Sequence, residues 1–206
     1  MKKAAVLALA LVIGVVGAVQ GFDGERKGFV LGGGIGYASS VKTTVDVSAS
    51  SGFGDQFYLG TLENDEKGLA GQLMFGFGWD DRNMLVLESN VAVYSINDLN
   101  LYGDGFLYDV QFAQGVGTVS WYHYWGGRGS SIFTAIGGGL GYFDTDYTDP
   151  NDYDFAWLAA IGYEFTAHLQ LGVYYTSGKT VFTEVPGLQG DFTQTNLSVL
   201  LSAVAF

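Results

Sequence analysis

The sequence predicts an all-β chain that forms an eight-stranded antiparallel up-and-down transmembrane β-barrel. Three observations favour this fold: alternating segments, aromatic residues at both ends of these segments, and connections that are alternately short and long. The aromatic residues that close the even-numbered segments are Trp79, Trp125, Phe165 and Phe206. Those near the far end of the odd-numbered segments are Tyr37, Tyr94, Tyr142 and Tyr175. Because amphipathic rings favour the headgroup regions of a bilayer, the sequence predicts two aromatic girdles.

The N-terminus has the pattern of an export signal. Two lysines follow the initiating methionine, and an apolar run then extends from Ala4 to Ala18. This run is shorter than the roughly 20 apolar residues that a spanning helix needs. We therefore expect residues 1–18 to be a secretory signal peptide and residues 19–206 to be one barrel domain. Cleavage is predicted after Ala18, with Gln20 as the alternative position.

Composition excludes several classes of function. Lys and Arg number 9 against 21 Asp and Glu, so the formal charge is −12, and loss of two lysines with the signal peptide would make it −14. A basic footprint for nucleic acid is therefore absent. The chain has no cysteine, which removes disulfides, thiol catalysis and thiolate metal sites. The 32 glycines include two triplets, at positions 32–34 and 137–139, which we attribute to close packing in a narrow barrel.

Period-two alternation identifies the individual strands. It is found over 28–37, 68–79, 84–94, 132–143, 155–165 and 169–175. The fourth segment, 106–125, loses its phase, because continuing the apolar face of Phe112 would place Gln114 in lipid. We expect a β-bulge near Gln114 and Gly115 to restore the pattern. In the eighth segment the more apolar face does not include Phe206, so the face that meets lipid stays undecided there.

The connections predict the orientation of the barrel. Short turns follow Trp79, Trp125 and Phe165, whereas longer links lie between them. This parity is expected when both termini and the short turns are periplasmic and the long loops face outside, and a soluble β-sandwich has no reason to keep it. The first long link, residues 39–66, contains several apolar residues. It could extend the hairpin outward or contact a partner, and simple loop packing is the preferred interpretation.

These features together resemble the small outer-membrane β-barrel proteins of Gram-negative bacteria, the group that includes the OmpA transmembrane domain and OmpX-like barrels. The opening segment Gly28–Tyr37 looks especially like the first strand of that superfamily. The resemblance implies a location in the bacterial outer membrane, with the lipid bilayer and lipopolysaccharide as surroundings. It also implies that the barrel-assembly machinery recognises the C-terminal strand, with Phe206 as the assembly signal.

Three carboxylates are the candidate residues of the barrel interior. Alternation places Glu88 and Glu164 inside, and Asp109 is a third candidate. Strand-borne Lys or Arg partners are nearly absent, so two hypotheses compete. Either the carboxyl groups help to plug a narrow interior, or an acidic interior passes small cations. Because eight strands leave an interior just wide enough for side chains, the plug is preferred.

Catalytic and metal sites are not expected. Some small barrels that resemble this chain modify lipid A through a histidine near the outer surface, but His123 and His168 both fall beside the short turns. The loop Asp144–Asp154 holds five aspartates, which would suit calcium. However, it lacks the central glycine and terminal glutamate of an EF-hand, and a solvated acidic loop is the simpler interpretation. We expect no catalytic residues, no cofactor and no defined metal site.

The sequence therefore favours a structural or surface-interaction role for an outer-membrane barrel whose long acidic loops face the exterior, where an extracellular partner could bind. The alternative is a small porin-like barrel that passes small cations or hydrophobic solutes.

Overall fold

The computed structural model is a closed barrel in which eight antiparallel strands follow the order of the chain. It describes residues 26–50, 56–99, 108–145, 152–182 and 188–206, and the side chains of most of them. The strands are β1 Gly28–Ser50, β2 Gln56–Gly78, β3 Asn83–Leu99, β4 Tyr108–Tyr124, β5 Ser131–Thr145, β6 Asp152–Thr166, β7 Leu169–Phe182 and β8 Leu188–Ala205. The predicted fold class is confirmed. Within the described ranges no helix is long and apolar enough to cross a membrane.

The two ends of the barrel differ in their connections. The links β2–β3, β4–β5 and β6–β7 are short, and the end that carries them is called the turn end here. The links β1–β2, β3–β4, β5–β6 and β7–β8 lie at the other end, the loop end. The predicted signal peptide and most of the Asp144–Asp154 loop lie outside the described residues. The barrel closes where β1 pairs with β8, with Leu31 opposite Ala205 near the turn end.

Side chains alternate between an apolar outer face and a mixed interior, as a strand requires. In β2, Leu73 and Phe75 face outward and are exposed, whereas Gln72 and Met74 are buried inside. The face that the sequence left undecided in β8 is resolved. The exposed residues there are Leu197, Val199 and Leu201, and the buried ones are Ser198, Leu200 and Ser202. The outer wall is consequently an apolar surface over most of its circumference.

The first long link is mostly strand. β1 and β2 each have 23 residues, about twice the 9 to 11 that cross a bilayer. Their pairing continues from Val41↔Glu66 to Ser50↔Gln56, and β8 pairs with β1 as far as Ala49. The preferred interpretation of loop packing is therefore wrong, and the extended hairpin is correct. Valine and threonine, which suit a pleated surface, recur through this part of β1.

The predicted bulge in β4 is absent. β4 pairs with β3 without a register shift from Asn83↔His123 to Ile96↔Val110. No shift is needed because Phe112 and Gln114 both face the interior: the Phe112 ring stacks on Tyr94 with centroids 5.4 Å apart, and Gln114 is fully buried. The prediction failed because it assigned every apolar residue of the segment to lipid, although the interior also takes aromatic rings.

The aromatic girdles are only partly as predicted. Trp79, Trp125, Phe165, Tyr37 and Tyr175 are exposed on the outer wall. Two other members were assigned wrongly, because Tyr94 and Phe206 are each 3% exposed and face inward. Both follow the parity of their strands. Val93, the neighbour of Tyr94, is exposed on the opposite face of β3, and Phe206 continues the inward parity of Leu200 and belongs to the buried apolar cluster.

Candidate functional site: the barrel interior

The middle of the interior is organised around a buried carboxylate. Glu88, on the inward face of β3, is 4% exposed. Its Oε2 accepts hydrogen bonds from Gln72 Nε2 at 2.8 Å, Asn90 Nδ2 at 2.9 Å and Tyr122 Oη at 2.8 Å. Gln72 Oε1 in turn accepts a hydrogen bond of 2.8 Å from Ser202 Oγ. We call these five residues the Glu88 layer. It joins β2, β3, β4 and β8 by their inward side chains.

A second polar group, the Gln114 layer, lies nearer the loop end. Gln114 Oε1 accepts hydrogen bonds from Thr43 Oγ1 at 2.7 Å and Tyr94 Oη at 3.2 Å. Gln114 Nε2 donates to Asn196 Oδ1 at 2.6 Å, and Gln194 Nε2 donates to the Gly115 carbonyl at 2.7 Å. β4 and β8 are four strands apart in either direction around the barrel. These two bonds therefore cross from one wall to the opposite one.

A third group of interacting side chains lies at the turn end. Its central residue, Arg26, comes from outside the strands. Arg26, two residues before β1, is 1% exposed and forms an ion pair with Glu164 of β6. Its guanidinium also donates to the Asp81 carbonyl in the β2–β3 turn and lies 3.9 Å from the centroid of the Tyr124 ring. Tyr124 Oη donates to Gln170 Oε1 at 3.0 Å. These residues form the Arg26 plug.

The predicted interior carboxylates have different environments. Glu88 has only neutral hydrogen-bond partners, whereas Glu164 pairs with Arg26. Asp109 lies in β4, and its side chain is outside the part of the chain whose side chains are described.

Sequence reasoning missed Arg26 because it considered only cations within the strands. The sequence nevertheless contains a pattern that indicates an inward position for Arg26. The even-numbered positions in the first part of β1, as far as Ala38, face inward, and continuing that parity backward from Val30 reaches Arg26. Gly28 has a φ of 96°, a conformation that side-chain-bearing residues rarely adopt. The chain bends at residues 26–27, directly before this glycine, and the Arg26 guanidinium contacts Glu164.

The two histidines are held by contacts at the turn end. His123 Nδ1 lies 2.8 Å from Asn83 Oδ1, and its ring packs between Trp121 and Trp125. His168 Nδ1 donates to the Val204 carbonyl at 3.0 Å. Neither ring is hydrogen-bonded to a serine or threonine hydroxyl in the described residues, so the geometry offers no base and nucleophile pair there. Groups of three or more His, Cys, Asp or Glu that could hold a metal are also absent from the part of the chain that the structure describes.

Phe206, the predicted assembly signal, has a defined position in the folded barrel. Its ring stacks on His168 with centroids 6.4 Å apart, and it belongs to the buried apolar cluster of the interior. In the folded protein this side chain is therefore part of the turn-end packing.

The β2–β3 turn contains a carboxylate whose ionised form is stabilised. The Asn83 side-chain amide and the Arg82 backbone N–H, which donates to Asp80 Oδ1 at 2.7 Å, hold the pKa of Asp80 below its usual value. The backbone N–H of Asn83 donates to the same oxygen at 2.7 Å. The turn is consequently fixed by bonds that require an acceptor at position 80.

The closed eight-stranded barrel with an apolar outer wall and a mixed interior defines a class: small outer-membrane-type β-barrels. No protein-family model matches the sequence, and no curated protein is significantly similar to it. Among solved structures, the outer membrane protein OprG from Pseudomonas aeruginosa has 14% identity and a TM-score of 0.55, covering 89% of this chain and 98% of that one. Ail of Yersinia pestis has 11% identity and a TM-score of 0.41, covering 84% and 99%. At 14% identity, the likeness to OprG concerns the fold alone.

Proposed function

We propose that this protein is an outer-membrane barrel with a closed interior, and that its role is structural or surface-interacting rather than catalytic. The apolar outer wall supports a bilayer location, since single soluble domains rarely expose apolar surfaces of this extent. Because the barrel is closed and has no free strand edge within the spanning region, its backbone N–H and C=O groups can be hydrogen-bonded in lipid. The bilayer and lipopolysaccharide would then be its immediate partners, and the long acidic connections would face the exterior.

One observation carries the interaction role: the outer part of β2 has a free edge. Among the described residues, β2 pairs with β3 only between Leu69 and Gly78, although β2 begins at Gln56. On its other side, the same outer part pairs with β1. Within the described ranges, residues 56–67 therefore form an unpaired edge of a sheet that continues beyond the spanning part of the barrel. Unpaired strand edges bind extended polypeptide through main-chain hydrogen bonds, which makes this edge the candidate contact surface.

Orientation in the membrane can be tested with single cysteines, because the chain has none of its own. Lys67→Cys lies at the loop end and Arg82→Cys at the turn end, and both native side chains are exposed. We expect a membrane-impermeant maleimide to label Lys67→Cys in intact cells and Arg82→Cys only after lysis. Recovery of the protein in the soluble fraction, or equal labelling of the two sites in intact cells, would contradict the proposed location.

The interaction role can be tested by shortening the hairpin in register. Because Val45 pairs with Leu62, residues 46–61 can be replaced by Asn-Gly, a two-residue turn that suits a hairpin. A knockout strain carrying this variant should lose surface adhesion relative to one carrying the full chain. Its permeability to a small chromogenic substrate should be unchanged. Unchanged adhesion with altered permeability would instead support the porin-like alternative.

A further inference from the structure

Two buried oxygen atoms in the Glu88 layer have no hydrogen-bond partner. They are Glu88 Oε1 and Asn90 Oδ1, on side chains that are 4% and 5% exposed. The two residues are separated by one position in β3 and so share its inward face. The bond from Asn90 Nδ2 to Glu88 Oε2, 2.9 Å long, holds the two side chains together. Each of the two side chains therefore presents one buried acceptor without a partner on the inward face of β3.

Within the described part of the chain, no cationic side chain balances the charge of Glu88. Among the described residues Arg26 is the one buried cationic side chain, and it is paired with Glu164 at the turn end. The side chains of Gln72, Asn90 and Tyr122 donate to Glu88 Oε2, and the Ser120 hydroxyl is a fourth hydrogen-bonding neighbour of the carboxyl group; all four are neutral. Hydrogen bonds to a carboxylate stabilise its ionised form. An ionised carboxylate in a dry interior is costly unless a positive charge accompanies it.

We propose that Glu88 Oε1 and Asn90 Oδ1 bind one small monovalent cation, of the size of sodium, inside the barrel. The hydroxyls of Thr118 and Ser120, 2.9 Å apart, complete an oxygen-rich surrounding, and Thr118 pairs directly with Glu88 across the β3–β4 ladder. Carboxylate, amide and hydroxyl oxygens are the ligands of hard cations. A single carboxylate balances a single charge, which favours a monovalent ion over a divalent one. The bound ion would stabilise a closed interior. Its binding does not require that the barrel conduct ions across the membrane.

The first test is the thermal unfolding of the purified, detergent-folded protein in increasing sodium chloride. Ionic strength is kept constant with N-methylglucamine chloride, whose cation is too large for the site, and the pH is held by one sodium-free buffer. A ligand that binds only the folded state raises its stability with concentration. We expect the unfolding temperature to rise with sodium in the wild type and to be independent of sodium in Glu88→Gln. Thr180→Val is the matched control: its Oγ1 is also buried without a partner but is neutral, so sodium dependence should be retained.

The second test reports binding without relying on stability. The ²³Na resonance should broaden when the wild-type protein is added and should sharpen on addition of excess potassium. Asn90→Leu retains the carboxylate but lacks Oδ1, so we expect it to fold and to broaden the resonance less. If Glu88→Gln does not fold, the broadening measured with Asn90→Leu tests the proposed cation site. Equal unfolding temperatures in sodium and N-methylglucamine, or full broadening by Glu88→Gln, would overturn the proposal and leave the proposed surface role unaffected.

Discussion

At the scale of single residues, the stability of the interior depends on which buried carboxylate has a cation beside it. Glu164 has its cation in Arg26, which arrives from outside the strands, whereas Glu88 is surrounded by neutral donors. Removing one partner of a buried ion pair leaves the other charge uncompensated, and this costs more than removing both. Arg26 also packs its guanidinium on the Tyr124 ring, so it contributes contact area as well as charge.

We predict that Arg26→Met destabilises the barrel by about 3–5 kcal/mol, because Glu164 would remain buried without its cation. The double variant Arg26→Met, Glu164→Met should recover most of this loss. The measurement is the free energy of unfolding in urea for the protein folded in lipid vesicles. If the loss of unfolding free energy in the double variant equals the sum of the losses in the two single variants, the two side chains do not act as a pair.

At the scale of elements, the turn end is fixed by short-range bonds that the strands themselves do not supply. Asp80 caps the β2–β3 turn, and the C-terminus of β8 is held by His168, through Val204 and the Phe206 ring. Each contact joins a connection to a strand end. We therefore expect changes here to affect the closing of the barrel more than its interior.

The Asp80 turn should give the protein an acid-sensitive contribution to stability. The pKa of Asp80 is lower in the folded state than in the unfolded chain, so its contribution is complete above about pH 4 and is lost as the pH falls through the folded value. Asp80→Ala should be less stable than wild type at pH 7, with the difference disappearing towards pH 2. Asp80→Asn keeps an acceptor oxygen but not the charge, so it should lack this acid-dependent loss. Urea midpoints between pH 7 and pH 2 provide the measurement.

Phe206 offers a test of the predicted assembly signal. Phe206→Ala removes both the terminal aromatic residue and its stack on His168, whereas His168→Ala removes the stack alone. If the barrel-assembly machinery recognises the terminal ring, Phe206→Ala should lower the amount of folded protein in the outer membrane several-fold more than His168→Ala does. Equal losses would assign the effect to packing in the folded barrel.

At the scale of the whole molecule, the interior is crossed by polar side chains at three levels: the Gln114 layer, the Glu88 layer and the Arg26 plug. These levels lie in series between the loop end and the turn end. Opening one of them would leave the other two in place. The closed-interior proposal therefore depends on the combined set, and no single residue is expected to act as the sole barrier.

Planar-bilayer recordings should find no steady conductance for the wild-type protein, and none for Arg26→Ala, because two further levels remain. The contrary result would be a steady, cation-selective conductance that Glu88→Gln abolishes. That outcome would favour the porin-like alternative and would make Glu88 part of a pathway.

The sequence by itself determined the number of strands, their antiparallel order and most of their faces, because period-two alternation and turn parity are local signals that each strand carries separately. It also gave the inward parity of Glu88 and Glu164. Only the tertiary structure decided that residues 39–50 and 56–66 continue as strands and that Phe112, Tyr94 and Phe206 face inward. It alone brought Arg26 to Glu164, 138 positions away in the chain. These features depend on which side chains meet across a closed barrel, and no local pattern encodes such distant contacts.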